Sequence, residues 1–134
     1  MSLTEVAPVL EATTSGEDVV FQGVTTDSRA VVKGQLFVAL KGPNFDAHDF
    51  AGDAQQAGAA ALMVEKQLDL PVPQLIVKDS LTALGKLAAY WRLRLSIPVV
   101  AVTGSNGKTT VKEMLSAIFS TQGETLATKG NLNN

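Results

Sequence analysis

Between Val99 and Phe119 the chain reads VVAVTGSNGKTTVKEMLSAIF, and the groups at its centre are those that hold a polyphosphate. Gly104 and Gly107 let a backbone approach an anion closely, and amide N–H groups at the start of the following helix would point at it. Lys108 adds a compact positive charge for the terminal phosphates, and the Thr109 hydroxyl is the candidate ligand for a Mg²⁺ shared with them. The widespread pattern G-x-x-x-x-G-K-[ST] asks for glycine where this chain has Val102, so the loop is a shorter form. A second cluster is Thr25-Thr-Asp-Ser-Arg29, expected at a strand end, where open α/β sheets bind ligands. Ser28 can accept and donate, and Arg29 can fork onto a phosphate or carboxylate. A polar turn carrying an Asp–Arg surface pair would look the same. His48, the single histidine, fits either a general base or a hydrogen-bonded residue at a helix start. No partner set at catalytic or metal-ligand spacing accompanies it.

These groups need elements to hold them. Residues 99–102, apolar and mostly β-branched after Pro98, predict a short buried strand. Val111, Met114, Leu115, Ile118 and Phe119 form one apolar face of a helix over 109–121, and a further strand is expected near 125–127. Upstream, Ser2 and Glu5 form a capping box for a short helix containing Leu3, Val6 and Leu10. Residues 19–26 predict a strand or strand pair broken near Gly23, Lys33-Gly34 a turn, 36–40 a buried strand, and 41–44 a turn. A helix is expected over 48–58 with Phe50, Ala54 and Ala57 on its face, then strands at 60–64 and 74–77. Asp79 or Ser80 caps a long helix whose apolar positions are Leu81, Leu84, Leu87, Ala88, Trp91 and Leu95. Strands alternating with helices predict an α/β fold: a small, mostly parallel sheet in a first domain of residues 1–80, then a linker helix and one βαβ unit over 81–134. One such unit is too little to close a core, which reads as the truncated opening of a second domain.

Composition narrows the function classes. The chain has 134 residues, 46% hydrophobic and 18% charged, as expected of a globular rather than a disordered protein. A net charge of −2 argues against nucleic acid as the main partner. No apolar run approaches a membrane span and no signal peptide is visible, so no membrane insertion is expected. With no cysteine there is neither a disulfide framework nor a thiolate metal site, and a cytoplasmic location is expected.

The loop Thr103-Gly-Ser-Asn-Gly-Lys-Thr-Thr110, together with Thr25–Arg29, resembles the Mur ligase family, ATP-dependent amide-forming enzymes of peptidoglycan precursor synthesis. The resemblance runs along the whole chain but covers only about the first third of such an enzyme. It implies an N-terminal substrate domain followed by the start of an ATPase domain. It also implies that Gly104, Ser105, Asn106, Gly107, Lys108, Thr109 and Thr110 bind ATP with Mg²⁺, Lys108 and Thr109 serving catalysis. Thr110 would reach the γ-phosphate or be only a first-turn helix residue. Thr26, Ser28 and Arg29 would line a pocket for the uridine and pyrophosphate of a muramoyl-peptide substrate. Gly42–His48 resembles the family's second nucleotide-site loop, so Asn44, Phe45 and Asp46 are further substrate candidates, although Ala47 stands where the family often has glycine. Gly130-Asn-Leu-Asn-Asn134 resembles a segment of the last ligase in the series, which implies UDP-N-acetylmuramoyl-tripeptide and D-alanyl-D-alanine as substrates. Asn131, Asn133 and Asn134 would then lie near the ATP γ-phosphate and the peptide carboxylate, or form only a polar loop. The expected reaction makes an acyl phosphate from the substrate carboxylate and ATP, and the amine then displaces phosphate. The fragment alone is expected to be inactive, and a monomer is the expectation at full length. Two alternatives stay open: the preceding ligase, which adds the third peptide residue, and a non-catalytic module that only holds the UDP-sugar-peptide.

Overall fold

The computed structural model describes residues 1–128 and divides the chain into two compact units, Met1–Ser96 and the segment from Ile97 onward. The first unit is built on five short strands: β1 (Thr13–Ser15), β2 (Val24–Thr25), β3 (Leu36–Val38), β6 (Ala61–Val64) and β7 (Gln74–Ile76), in spatial order β1-β7-β6-β3-β2. A separate two-stranded hairpin, β4 (Lys41–Gly42) and β5 (Phe45–Asp46), follows β3. Pairing is parallel throughout the five-stranded sheet except at β1, which runs antiparallel to β7. The small, mostly parallel α/β sheet expected from the sequence is therefore present.

Alternation along the central strands sends side chains to two cores. Leu36, Val38, Ala61, Met63 and Leu75 face one side, where they meet Leu3, Val6 and Leu10 of α1 (Leu3–Leu10) and Ala83 and Leu87 of α3 (Ser80–Leu93). Phe37, Leu62 and Val64 face the other, with Ala47, Ala51 and Ala54 from the turn at Ala47–Phe50 and from α2 (Ala51–Gln56). Both faces of β3 and β6 are covered, so these strands are apolar at every position.

Local signals explain the helix ends. Ser2 Oγ accepts from Glu5 N–H at 3.2 Å while Glu5 Oε2 accepts from Ser2 N–H at 3.3 Å, the reciprocal capping box. Glu5 also accepts from Tyr90 Oη–H at 3.1 Å and pairs with Arg94, tying α1 to α3. Asp79 caps α3 by accepting from Thr82 N–H at 2.6 Å. The first compact unit runs through Ser96 and so contains the whole of α3.

Several elements differ from the sequence expectation. The strand Thr13–Ser15 is polar and partly exposed, and its pairing with β7 makes it a strand where its composition does not. On α3 the buried residues are Ser80, Ala83 and Leu87, while Leu81 is 68% and Trp91 48% exposed, so the packed stripe is rotated from the one expected. On α2 the buried positions are Ala51 and Ala54, and Ala57 is exposed. In the second unit α4 (Lys108–Ser120) forms as expected, but neither 99–102 nor 125–127 is a strand among the described residues. Among the described residues the βαβ unit is therefore present only as its helix: strands exist through ladder bonds, and there these two segments have no ladder partner.

The rotated face of α3 predicts opposite outcomes for two leucines in urea unfolding. Leu87→Ala, at 2% exposure, should cost about 3 kcal/mol. Leu81→Ala should stay within about 0.5 kcal/mol of the parent.

Candidate functional site

Parallel strands deliver their carboxyl ends to one edge of the sheet, and the segments leaving β2 and β3 meet there. β2 runs into Thr26 and a single 3-10 turn at Ser28–Ala30. β3 runs into the β4–β5 hairpin, the turn Ala47–Phe50 and then α2. Together they enclose a cleft of about 520 Å³ lined by Thr26, Asp27, Ser28, Arg29, Phe37, Phe45, Ala47, Phe50 and Asp53. That volume suits a ligand of nucleotide size.

Part of the cleft's lining is ionic. Asp27 Oδ1 accepts from Arg29 N–H at 3.0 Å, which caps the 3-10 turn, and from Arg29 Nε–H at 2.9 Å. Asp27 Oδ2 takes Arg29 Nη2–H at 2.8 Å, completing a fork–fork pair. Thr25 Oγ1 accepts from Asp27 N–H at 3.2 Å and fixes the turn's start. The Arg29 N–H groups on its oxygens hold the Asp27 carboxyl down to about 2, well below the ordinary aspartate value. Asp27 therefore orients Arg29 by one edge, and Nη1 is the guanidinium nitrogen with no bond to Asp27.

Another part is aromatic. Phe45 and Phe50 stack with ring centroids 5.6 Å apart and planes 16° apart, and Phe37, fully buried, also contributes to the lining. Such a wall offers a flat apolar surface to a planar ring.

Of the substrate candidates read from the sequence, Thr26, Ser28, Arg29 and Phe45 come together around this cleft. Asn44 sits at the exposed turn of the hairpin and does not line it. Asp46 does not line it either, because its carboxylate faces His48, accepting from His48 N–H at 3.0 Å with Nδ1 at 2.5 Å. His48 is a buried, hydrogen-bonded residue of the turn rather than a group open to a ligand. Asn131, Asn133 and Asn134 lie outside the described residues. The sequence reading missed Phe37, Phe50 and Asp53 as lining residues. Phe50 and Asp53 are three residues apart at the start of α2, so helical spacing could have grouped these two, whereas Phe45 lies on the hairpin outside that helix.

In the second unit, Gly104 (φ +149°) and Gly107 (φ +75°) occupy backbone conformations that favour glycine. Gly107 is the N-cap of α4, and no side chain caps the helix, so its first-turn amides remain free to meet an anion. Lys108 folds back so that Nζ donates to Gly104 O at 2.5 Å, across the loop formed with Ser105 and Asn106. Thr109 and Thr110 follow in the exposed first turn. Among the described residues no group of three or more His, Cys, Asp or Glu side chains is placed to hold a metal ion. A single threonine hydroxyl still fits Mg²⁺, which keeps several waters and takes most of its remaining ligands from substrate phosphates.

The depressed Asp27 carboxyl has a testable signature. Its interaction with Arg29 is fully present above the ordinary aspartate value of 3.8 and is lost as pH falls through about 2. A carboxylate-resolved NMR titration should show Asp27 protonating near the lower value, and Arg29→Ala, which removes the guanidinium and keeps the backbone N–H on Oδ1, should raise it part of the way back. An unchanged titration in that variant would contradict the pairing.

A family model described as "Mur ligase family, catalytic domain" matches residues 20–92, and one described as "Mur ligase middle domain" matches residues 102–134. The UDP-N-acetylmuramoyl-tripeptide--D-alanyl-D-alanine ligase of Escherichia coli (strain K12) is 52% identical over 134 residues, all of this chain and 30% of that protein. Among solved structures, MurF from Acinetobacter baumannii superposes with a TM-score of 0.87 at 39% identity, covering 98% of this chain and 30% of that one. MurF ligase from Thermotoga maritima in complex with ADP gives a TM-score of 0.73 at 38% identity, over 84% of this chain and 26% of that one. The chain thus spans about 30% of the length of the first two of these relatives. With a matching family model over more than half of its residues, the chain belongs to the Mur ligase family.

Proposed function

We propose that the chain carries the nucleotide-substrate pocket and the ATP phosphate loop of an amide ligase that joins D-alanyl-D-alanine to UDP-N-acetylmuramoyl-tripeptide. The observation that carries this reading is the cleft at the ends of β2 and β3, whose lining contains both a stacked aromatic pair and an oriented guanidinium. A sugar-linked uridine diphosphate has a flat base and a dianionic pyrophosphate, and these two kinds of lining match them. The uracil lies against Phe45 and Phe50, and the pyrophosphate meets Thr26, Ser28 and Arg29. Residues 1–80 supply the UDP-muramoyl-peptide site, and residues 81–134 the linker helix and the opening of the ATP-binding domain. The similarity to ligases named for this substrate pair supports the choice of peptide and amine.

The reaction is acyl activation. A substrate carboxylate oxygen attacks the γ-phosphorus of ATP, the bond to the β-phosphate oxygen breaks, and ADP leaves an acyl phosphate behind. The amine of D-alanyl-D-alanine attacks the acyl carbon, phosphate departs, and the amine proton is lost as the amide forms. Charge on the transferring phosphoryl group is the barrier that this chain's residues lower. Lys108 Nζ would exchange its contact with Gly104 O for phosphate oxygens, and the first-turn amides of α4 would donate to them. Thr109 would hold the Mg²⁺, which supplies charge neutralisation between the phosphates when bound. A requirement for ATP and the lack of cysteine suit the cytoplasm.

Isothermal titration of the chain with UDP-N-acetylmuramoyl-tripeptide tests the pocket. Saturable binding is expected, and Arg29→Ala should weaken it about tenfold or more, the usual cost of losing a charge-assisted hydrogen bond. Lys108→Ala should leave that titration unchanged. Equal weakening by both variants would contradict the division of labour.

A further inference from the structure

Phe45 makes its half of the aromatic wall from an exposed hairpin that belongs to a sheet of its own. Lys41, Gly42, Pro43, Asn44 and Phe45 are all exposed, so burial does little to fix the hairpin's attitude. At its base Ala47 N–H donates to Leu40 O at 2.9 Å. Its side-chain anchor is Asp46 on His48, whose side chain is 4% exposed against 33% for that of Asp46. His48 Nε2 accepts the backbone N–H of Glu65 at 2.9 Å, which assigns the ring proton to Nδ1. Nδ1–H then donates to Asp46 Oδ1 at 2.5 Å. Glu65 directly follows β6, and its Oε1 accepts from Ser80 N–H at 3.0 Å at the start of α3. One chain of hydrogen bonds therefore runs from the hairpin through the imidazole to the end of a fully buried strand and on to a helix.

We propose that His48 is a positioning residue for the aromatic part of the cleft: by joining Asp46 to the Glu65 amide it holds the β4–β5 hairpin where Phe45 stacks on Phe50. The inference rests on the reading of that cleft as a uridine nucleotide site. His48 also precedes Phe50 by two residues in the same turn, so one side chain fixes both partners of the stack. A preformed wall spares the ligand the cost of ordering it.

The test uses the whole chain, with UDP as the calorimetric probe. In His48→Gln the carboxamide oxygen can still accept from the Glu65 amide, but the rigid pair of ring nitrogens that joins that amide to Asp46 is gone, and Asp46→Ala cuts the same link from the other side. Both variants should weaken UDP binding roughly tenfold, and Asp46→Asn, which keeps an acceptor oxygen, should recover most of what Asp46→Ala loses. In ligand-free protein, the NOE between the Phe45 and Phe50 rings should be present in the parent and lost in His48→Gln and Asp46→Ala. A role in stability alone would lower the melting temperature of these variants while leaving the NOE and the UDP affinity intact, and that result overturns the proposal. If the parent itself fails to bind UDP, the nucleotide reading of the cleft falls. The ring NOE then decides the anchoring by itself, its retention in the variants refuting it and its loss upholding it.

Discussion

Parallel pairing of β3 with β2 on one side and β6 on the other governs where everything else in the first unit can lie. Parallel neighbours cannot be joined by a tight turn, so each connection must cross the sheet and return, and every strand exits at the same edge. Thr26–Arg29 and the segment Lys41–Asp53 are the exits of two adjacent strands, only a strand spacing apart. Residues separated by up to 27 positions in sequence thereby share one cleft. Covering both faces of β3 and β6 makes that edge rigid, because Leu36, Phe37, Val38, Leu62, Met63 and Val64 are all fully buried. Phe37 serves both needs, filling the core from its strand position and contributing to the lining of the cleft.

The two anion-directed features solve the same electrostatic problem by different means. In the first unit a side chain carries the charge, and a neighbouring carboxylate orients it. Asp27 reduces the net charge of the cleft but restrains a guanidinium that is 88% exposed and would otherwise sample many rotamers. In the second unit the backbone supplies the donors, with two glycines setting the loop and one lysine adding charge. The first arrangement suits recognition of a fixed pyrophosphate. The second suits a phosphate whose charge changes during reaction, since backbone dipoles need no rearrangement to follow it.

What the sequence made legible follows from how local each cause is. The capping box at Ser2 and Glu5, the Asp79 cap and the helix after Gly107 depend on residues within four positions of each other, and all three form as read. The central strands β3 and β6 were readable because burial on both faces leaves unbroken apolar runs. Thr13–Ser15 was not, since only the neighbouring β7, some 60 residues away, makes it a strand. Residues 99–102 show the converse: strand-like composition without a ladder partner among the described residues gives no strand there. On α3 Leu87 is buried and Leu84 packs against the core as the apolar spacing implies, but Leu81 and Trp91 are exposed, and packing takes in Ala83, whose small side chain allows close approach to α1 and the sheet. In the cleft, the ionic part was legible as a compact motif, whereas the aromatic wall depends on a hairpin folding Phe45 back over Phe50.

The central claim is that the cleft at the ends of β2 and β3 receives a uridine nucleotide. The most direct measurement is amide chemical-shift mapping of the ¹⁵N-labelled chain on addition of UDP. The account predicts that perturbed amides cluster at Thr26–Arg29, Phe37 and Phe45–Asp53, with Gly104–Thr110 unmoved. Perturbations confined to Gly104–Thr110, with the cleft silent at saturating UDP, would contradict it.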